Sequence, residues 1–368
     1  MASSIEEVMQ VLEDFISLAS KRLQRIKLRQ RFHIIKRLGD GGFGSVLLVK
    51  EKKTDQKMAL KMMEREMTSK RKFLMECGVM SFLSSHPNIV ESLGILFKTG
   101  EDFCFAQEVA PLGDLFSLIV PSVGLPEDIV KRCAVQISNA LEFISQKGFV
   151  HMDLKPENVL VFDKDCQCVK VTDFGLAQVR RTTIRGQLGT VKYMAPEMCT
   201  ITGREEITVD SNLDVWAFGV LLFCLMTGEF PWKVAMHKDE RFRRFGDWQN
   251  HFQGYGPPAP WGKLSSTTLD IFMSILAIEP NTAYDDEFLC LSYIVFKQPR
   301  EKYLPGHLNG QDPAQCMELE LLALYNLYII FKQVGNSASF LKYPEQIITS
   351  VVLETGGKTL SSVIVRIL

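Results

Sequence analysis

Two short runs carry the side chains best suited to chemistry: His151-Met152-Asp153-Leu154-Lys155-Pro156-Glu157-Asn158 and Asp173-Phe174-Gly175. They bring together a carboxylate to orient a hydroxyl, a cation to meet a phosphate, and an amide and a second carboxylate whose oxygens suit a divalent metal. This is equipment for phosphoryl transfer. Negative charge there spreads over the phosphoryl oxygens, and the protein's part is to position reactants and neutralise charge.

The elements that must present these groups begin upstream. Gly39-Asp40-Gly41-Gly42-Phe43-Gly44-Ser45-Val46 lies between the apolar runs Ile34-Ile35 and Val46-Leu47-Leu48-Val49, which read as a hairpin of strands. Glycines there let backbone N–H groups approach phosphates closely. A dinucleotide-binding turn would pass from strand through glycines into a helix; here a second strand follows, which disfavours that reading. The next strand holds Met58-Ala59-Leu60-Lys61, with Lys61 expected at the nucleotide phosphates.

With Ala195-Pro196-Glu197, these motifs stand in the order and approximate spacing of a eukaryotic protein kinase, which the chain resembles from about Phe32 to about Pro280. The run Phe105 to Phe116, then Gly124-Leu125-Pro126-Glu127-Asp128 and Val130-Lys131-Arg132-Cys133, is most similar to the SH3-binding kinase family of serine/threonine kinases. The resemblance implies an α+β fold in two lobes, a small β-rich N-lobe and a larger helical C-lobe. Residues 1–30 are then an N-terminal amphipathic extension, 31–110 the N-lobe and hinge, 111–282 the C-lobe, and 283–368 a divergent C-terminal segment.

The same resemblance implies a protein serine/threonine kinase that uses ATP and Mg²⁺ and acts on protein substrates. Asp153 would orient the acceptor hydroxyl and take its proton, while Lys155 stabilises phosphoryl charge. Lys61 would be held by Glu76, from a stretch matching the kinase αC helix, and Asn158 and Asp173 would bind Mg²⁺. The nucleotide would lie beneath the loop of Gly39, Asp40, Gly41, Gly42, Phe43 and Gly44. Its base would sit between Leu38, Val46 and Ala59 above and Leu160 below. Glu108 and Ala110 would offer hinge backbone bonds, with Gln107 at the gatekeeper place and Asp114 at the ribose. Thr190 is expected to contact Asp153 and Lys155, and Asp214 the catalytic-loop amides. Gly78 weakens its helix by about 1 kcal/mol relative to alanine, which points to a mobile αC.

Two departures support an alternative, a catalytically weak or inactive pseudokinase scaffold. Met152 stands where most regulated kinases carry an arginine that receives an activating phosphate. Asn281-Thr282-Ala283 stands where an arginine should pair with Glu197, and losing one partner of a buried ion pair costs about 3–5 kcal/mol. The family name implies SH3-domain partners, for which Pro257-Pro258-Ala259-Pro260 is a minimal PxxP run.

Composition bounds the rest. A chain of 368 residues, 46% hydrophobic, can bury a large core. A net charge of −1 gives no reason to invoke nucleic acid as a partner. Apolar runs such as Val215 to Met226 fall short of the roughly 20 residues of a membrane span. The acidic Glu6-Glu7 argues against a signal peptide, and nine cysteines without a CxxC pair argue for reduced thiols, so the expected location is cytoplasmic or also nuclear. Residues 3 to about 29 read as one amphipathic helix with a basic C-terminal half.

Overall fold

The apolar runs that flank the glycines form antiparallel strands, β1 (Phe32–Gly41) and β2 (Gly44–Glu51), whose register closes on Gly41 opposite Gly44. The computed structural model describes residues 5–41, 44–203, 205–250 and 256–278, all within one unit of the chain, Ala2–Pro299. Gly42, Phe43, Asn281-Thr282-Ala283 and the segment 283–368 lie outside the described residues.

Ahead of β1 come helices α1 (Ile5–Arg22) and α2 (Leu28–Arg31). The single helix expected over residues 3–29 is therefore broken at Arg22. Continuing it would stack Lys21 on Arg25 and Arg25 on Arg29, like charges four apart that destabilise a helix. Instead the chain pairs with the sheet: Ile26 N–H donates to Lys98 O at 2.9 Å, and Lys98 N–H to Gln24 O at 2.9 Å. The remaining α1 has acidic residues in its first turn and Lys21 and Arg22 in its last, as the helix dipole favours. Val8, Leu12, Ile16 and Ala19 recur at helical spacing and are buried.

The sheet is completed by β3 (Lys57–Glu64), β4 (Ser92–Lys98) and β5 (Asp102–Gln107), in the order β1-β2-β3-β5-β4 with every pair antiparallel. Between β3 and β4 runs α3 (Lys70–Leu83), capped by Ser69, whose hydroxyl accepts from Lys72 N–H at 3.1 Å. Phe73 of α3 stacks on Phe103 of β5, with ring centroids 4.9 Å apart.

The second lobe begins with α4 (Glu127–Gln146) and the short strands β6 (Phe149–Val150), β7 (Val159–Val161), β8 (Val169–Val171), β9 (Gln178–Val179) and β10 (Thr183–Arg185). It continues through α5 (Pro196–Thr200), β11 (Glu206–Thr208), α6 (Asn212–Thr227), α7 (Glu240–Asn250) and α8 (Ser266–Ile275). Between the hinge and α4 the chain makes one 3₁₀ turn, Phe116–Leu118. Asp114 Oδ1 takes Ser117 N–H at 2.8 Å there, a side-chain turn that competes with helix. α6 is buried on nearly every side and packs among Trp232, Trp261, Phe242, Phe245 and Phe272. A sheet-rich lobe and a helical lobe thus form the α+β architecture, and β5 leads from one into the other.

Candidate active site

Lys61 is fixed by β3, where it lies opposite Val46 on one side and Phe105 on the other. Its Nζ donates to Glu76 Oε1 at 2.7 Å and to Asp173 Oδ1 at 2.9 Å. Glu76 projects from α3 and is 2% exposed. Burial works against the Lys61 ammonium, but the Glu76 and Asp173 carboxylates outweigh it and hold its pKa above the usual lysine range. Burial likewise pushes the Asp173 carboxyl up, and the Lys61 charge more than reverses this, leaving it below the ordinary value. Burial pushes the Glu76 carboxyl above the usual carboxylate range, against the pull of the Lys61 charge.

The catalytic loop hangs from α6. Asp214 Oδ2 accepts from His151 N–H at 2.6 Å and its Oδ1 from Met152 N–H at 2.9 Å. Fully buried His151 meets Thr172 O through Nε2 at 2.9 Å and packs on the Phe174 ring, centroids 5.1 Å apart. Phe174 is itself buried, so the Asp173-Phe174-Gly175 turn points its carboxylate toward Lys61 and its ring into the core.

Asp153 is held from three directions. Thr190 Oγ1 donates to its Oδ1 at 2.6 Å, Lys155 Nζ to its Oδ2 at 2.6 Å, and Asn158 Nδ2 to its carbonyl at 2.8 Å. Lys155 Nζ also donates to Thr190 Oγ1 at 2.9 Å, closing a triangle. Gly189 lets Thr190 approach: its φ is +107°, and a Cβ there would stand 2.4 Å from Met152 O.

Asn158 and Asp173 offer oxygens suited to a hard cation. Bonds made by Asn158 Nδ2 to Asp153 leave Oδ1 on the other side of its amide, and Asp173 binds Lys61 through Oδ1, leaving Oδ2. The donor set fits Mg²⁺.

Leu38, Val46, Ala59 and Leu160 stand on β1, β2, β3 and β7, and an isolated bridge joins Leu160 to Asp114. Gly39, Asp40, Gly41 and Gly44 form the facing ends of the β1–β2 hairpin, with open space around Gly39 where a Cβ would lie. Glu108 N–H is committed to Glu91 O at 3.1 Å, which leaves the hinge its carbonyl. The Glu108 carboxylate accepts from Lys170 Nζ at 2.7 Å and from Glu91 N–H at 2.7 Å, so the segment leading to Ala110 is anchored to both lobes.

Sequence reasoning did not foresee the Glu108–Lys170 pair, 62 residues apart. It also misread Gly78. A Cβ at Gly78 would stand 2.9 Å from Phe15 Cδ1, so this glycine makes room for α1 rather than loosening α3. Met152, the departure from the arginine pattern, is 7% exposed with φ +69° and lies beside Leu188, Tyr193 and Met194 around a small cavity. An apolar side chain is what this place accommodates.

Residues 32–284 match the protein kinase domain family. Serine/threonine-protein kinase SBK1 of Danio rerio is 41% identical over 279 residues, 76% of this chain and 72% of that protein. SBK1 of Mus musculus is 42% identical over 268 residues, covering 73% of this chain and 64% of the relative. Serine/threonine-protein kinase SBK2 of Rattus norvegicus is 40% identical over 277 residues, 75% and 76% of the two chains. With a lysine–glutamate–aspartate triad drawn from both lobes and a clamped Asp153, the chain belongs to the protein kinases, in the group that includes SBK1 and SBK2.

Proposed function

We propose that this protein transfers the γ-phosphoryl group of ATP to serine or threonine hydroxyls of protein substrates. The observation that carries the reading is that the structure holds both the Lys155–Asp153–Thr190 triangle and the Lys61–Glu76–Asp173 triad. In the reaction the acceptor oxygen bonds to the γ-phosphorus as the bond to the β,γ-bridging oxygen breaks. ADP leaves with that electron pair, and the hydroxyl proton passes to the Asp153 carboxylate. Thr190 and Lys155 keep the carboxylate aimed, and Lys155 also meets the charge on the phosphoryl oxygens. Lys61 anchors the nucleotide phosphates. Asn158 and Asp173 would hold Mg²⁺, which would supply positive charge to offset that of the phosphates.

Lysine at 155 and threonine at 190 are the features that favour aliphatic over phenolic acceptors. Pro257-Pro258-Ala259-Pro260 does not serve as an extended SH3 ligand in this reading. Trp261 N–H donates to Pro258 O at 2.8 Å, and Pro260 is buried, so the run is a turn into the following helix. Protein substrates are the partners implied. All seven described cysteines are free thiols, which supports a cytoplasmic or nuclear compartment. Among the described residues no helix is long and apolar enough to cross a membrane.

Incubation of the purified protein with labelled ATP and Mg²⁺, with a generic basic protein as acceptor, tests the acceptor class by phosphoamino-acid analysis. Phosphoserine and phosphothreonine are expected; phosphotyrosine as the main product would contradict the reading.

A further inference from the structure

Helix α1 lies outside the span that matches the protein kinase domain, which begins at residue 32. Yet it packs along α3, the helix that carries Glu76. Val8, Leu12 and Ile16 of its apolar face are buried, and Phe15 and Leu12 close over Gly78, two residues past Glu76. A Cβ at position 78 would stand 2.9 Å from Phe15 Cδ1 and 3.3 Å from Leu12 Cδ2. One edge of the contact is sealed by an ion pair, in which Arg71 Nη1 of α3 donates to Glu13 Oε2 at 2.9 Å.

The opposite end of α1 reaches the other lobe. Val8 Cγ2 lies 3.4 Å from where a Cβ at Gly148 would be, immediately before β6, and α1 also contacts β9. β6 runs directly into His151 and Met152, and β9 pairs with it at the start of the activation segment. One helix thus touches both the element holding Glu76 and the strand pair feeding the catalytic loop. Glycine is a poor helix former, and its use in mid-helix here is explained by the closeness of α1.

We propose that α1 is a positioning element for phosphoryl transfer: Leu12 and Phe15, seated over Gly78, hold α3 where Glu76 reaches Lys61. The inference rests on the activity proposed above and adds to it a requirement for the N-terminal helix. With α1 displaced, α3 loses the surface that sets its distance from β3, and Lys61 loses a partner 2.7 Å away. Phe15 and Leu12 touch neither nucleotide nor acceptor, so they act through Glu76.

The test uses the full chain with Gly78→Ala, Phe15→Ala, Phe15→Leu and the Gly78→Ala/Phe15→Ala pair, reading kcat, the KM for ATP and hydrogen exchange of residues 70–83. Alanine is the better helix former, so a role confined to α3 stability predicts unchanged or higher activity for Gly78→Ala. The proposal predicts the reverse: kcat falls by about tenfold or more while the KM for ATP moves less than about threefold. Exchange in residues 70–83 rises in Gly78→Ala. Removing the ring in the double variant restores much of the lost kcat, a coupling expected of groups in contact.

If Gly78→Ala does not fold, Phe15→Ala decides, with Phe15→Leu as its conservative rescue. Unchanged kcat and unchanged exchange in Gly78→Ala and Phe15→Ala would overturn the proposal. If the wild-type protein transfers no phosphate, the activity reading has failed. The exchange data then judge the clamp alone: faster exchange upholds α1 as the element that fixes α3, and equal exchange overturns it.

Discussion

Asp153 can orient a hydroxyl only while its carboxylate is held still, and Thr190 makes the shortest neutral bond to it. Its hydroxyl donates to Asp153 Oδ1 and accepts from Lys155 Nζ, so one atom ties the base to the cation. Thr190→Val keeps the shape and removes both bonds. We expect kcat to fall about 10- to 100-fold, roughly 1.4–2.7 kcal/mol of barrier, with the KM for ATP little changed. Thr190→Ser keeps the hydroxyl and should retain most activity in the same steady-state assay. A Thr190→Val variant as active as wild type would show that Asp153 is positioned by other means. Met152 belongs to the same scale. Its burial beside Leu188 and Tyr193 means that the missing arginine is replaced by packing, which leaves the catalytic triangle untouched.

At the scale of elements, the activation segment is held by backbone pairing and an ion pair. β10 pairs with β11, Arg181 N–H donates to Val209 O at 2.7 Å, Val209 N–H to Thr182 O at 2.8 Å, and Arg180 binds Asp210 at 3.0 Å. Thr182→Ala with Thr183→Ala should therefore keep kcat within about tenfold of wild type, or about 1.4 kcal/mol; a larger loss would mean that phosphorylation there switches the enzyme. Elsewhere, α7 depends on Asp239, whose carboxylate accepts from Lys233, Val234, Arg241 and Phe242 N–H at 2.9–3.3 Å. Burial pushes the Asp239 carboxyl up, but these four donors outweigh it and hold the pKa below the usual aspartate value. A lowered folded-state pKa contributes stability above the unfolded value, near about 3.9, that is lost as pH falls through the folded one. Asp239→Ala should cost about 1–2 kcal/mol at pH 7, and in denaturant melts that gap should narrow below about pH 3–4. A gap that stays constant with pH would refute the charged cap.

Legibility in the sequence differed by kind of interaction. The β1–β2 hairpin, Lys61 on β3 and the α6 core were readable because apolar periodicity and local motifs set them. Pairing of Lys61 with Glu76 was readable only through the family resemblance, and the bond from Lys61 to Asp173, 112 residues away, was not foreseen, since no local pattern encodes it. The fate of the basic residues after Arg22 was not readable. Their choice between helix and pairing with Lys98 depends on a sheet edge about seventy residues on. Gly78 failed for the same reason: propensity describes α3 alone, whereas the contact with Phe15 belongs to the assembled lobe.

At the scale of the whole molecule, the two lobes contribute opposite halves of one site. The sheet lobe brings Lys61 and Glu76, and the helical lobe brings Asp153, Lys155, Asn158 and Asp173. We expect this cleft to perform catalysis and not merely to bind nucleotide as a scaffold. Labelled phosphate transfer from ATP-Mg²⁺ by the full chain and by Asp153→Asn, with ATP-Mg²⁺ binding measured on the same samples, separates the two. Transfer by the wild type is expected, with a loss of at least about 100-fold in Asp153→Asn and binding retained. ATP-Mg²⁺ binding by well-folded wild type without transfer, or equal transfer by Asp153→Asn, would contradict this expectation.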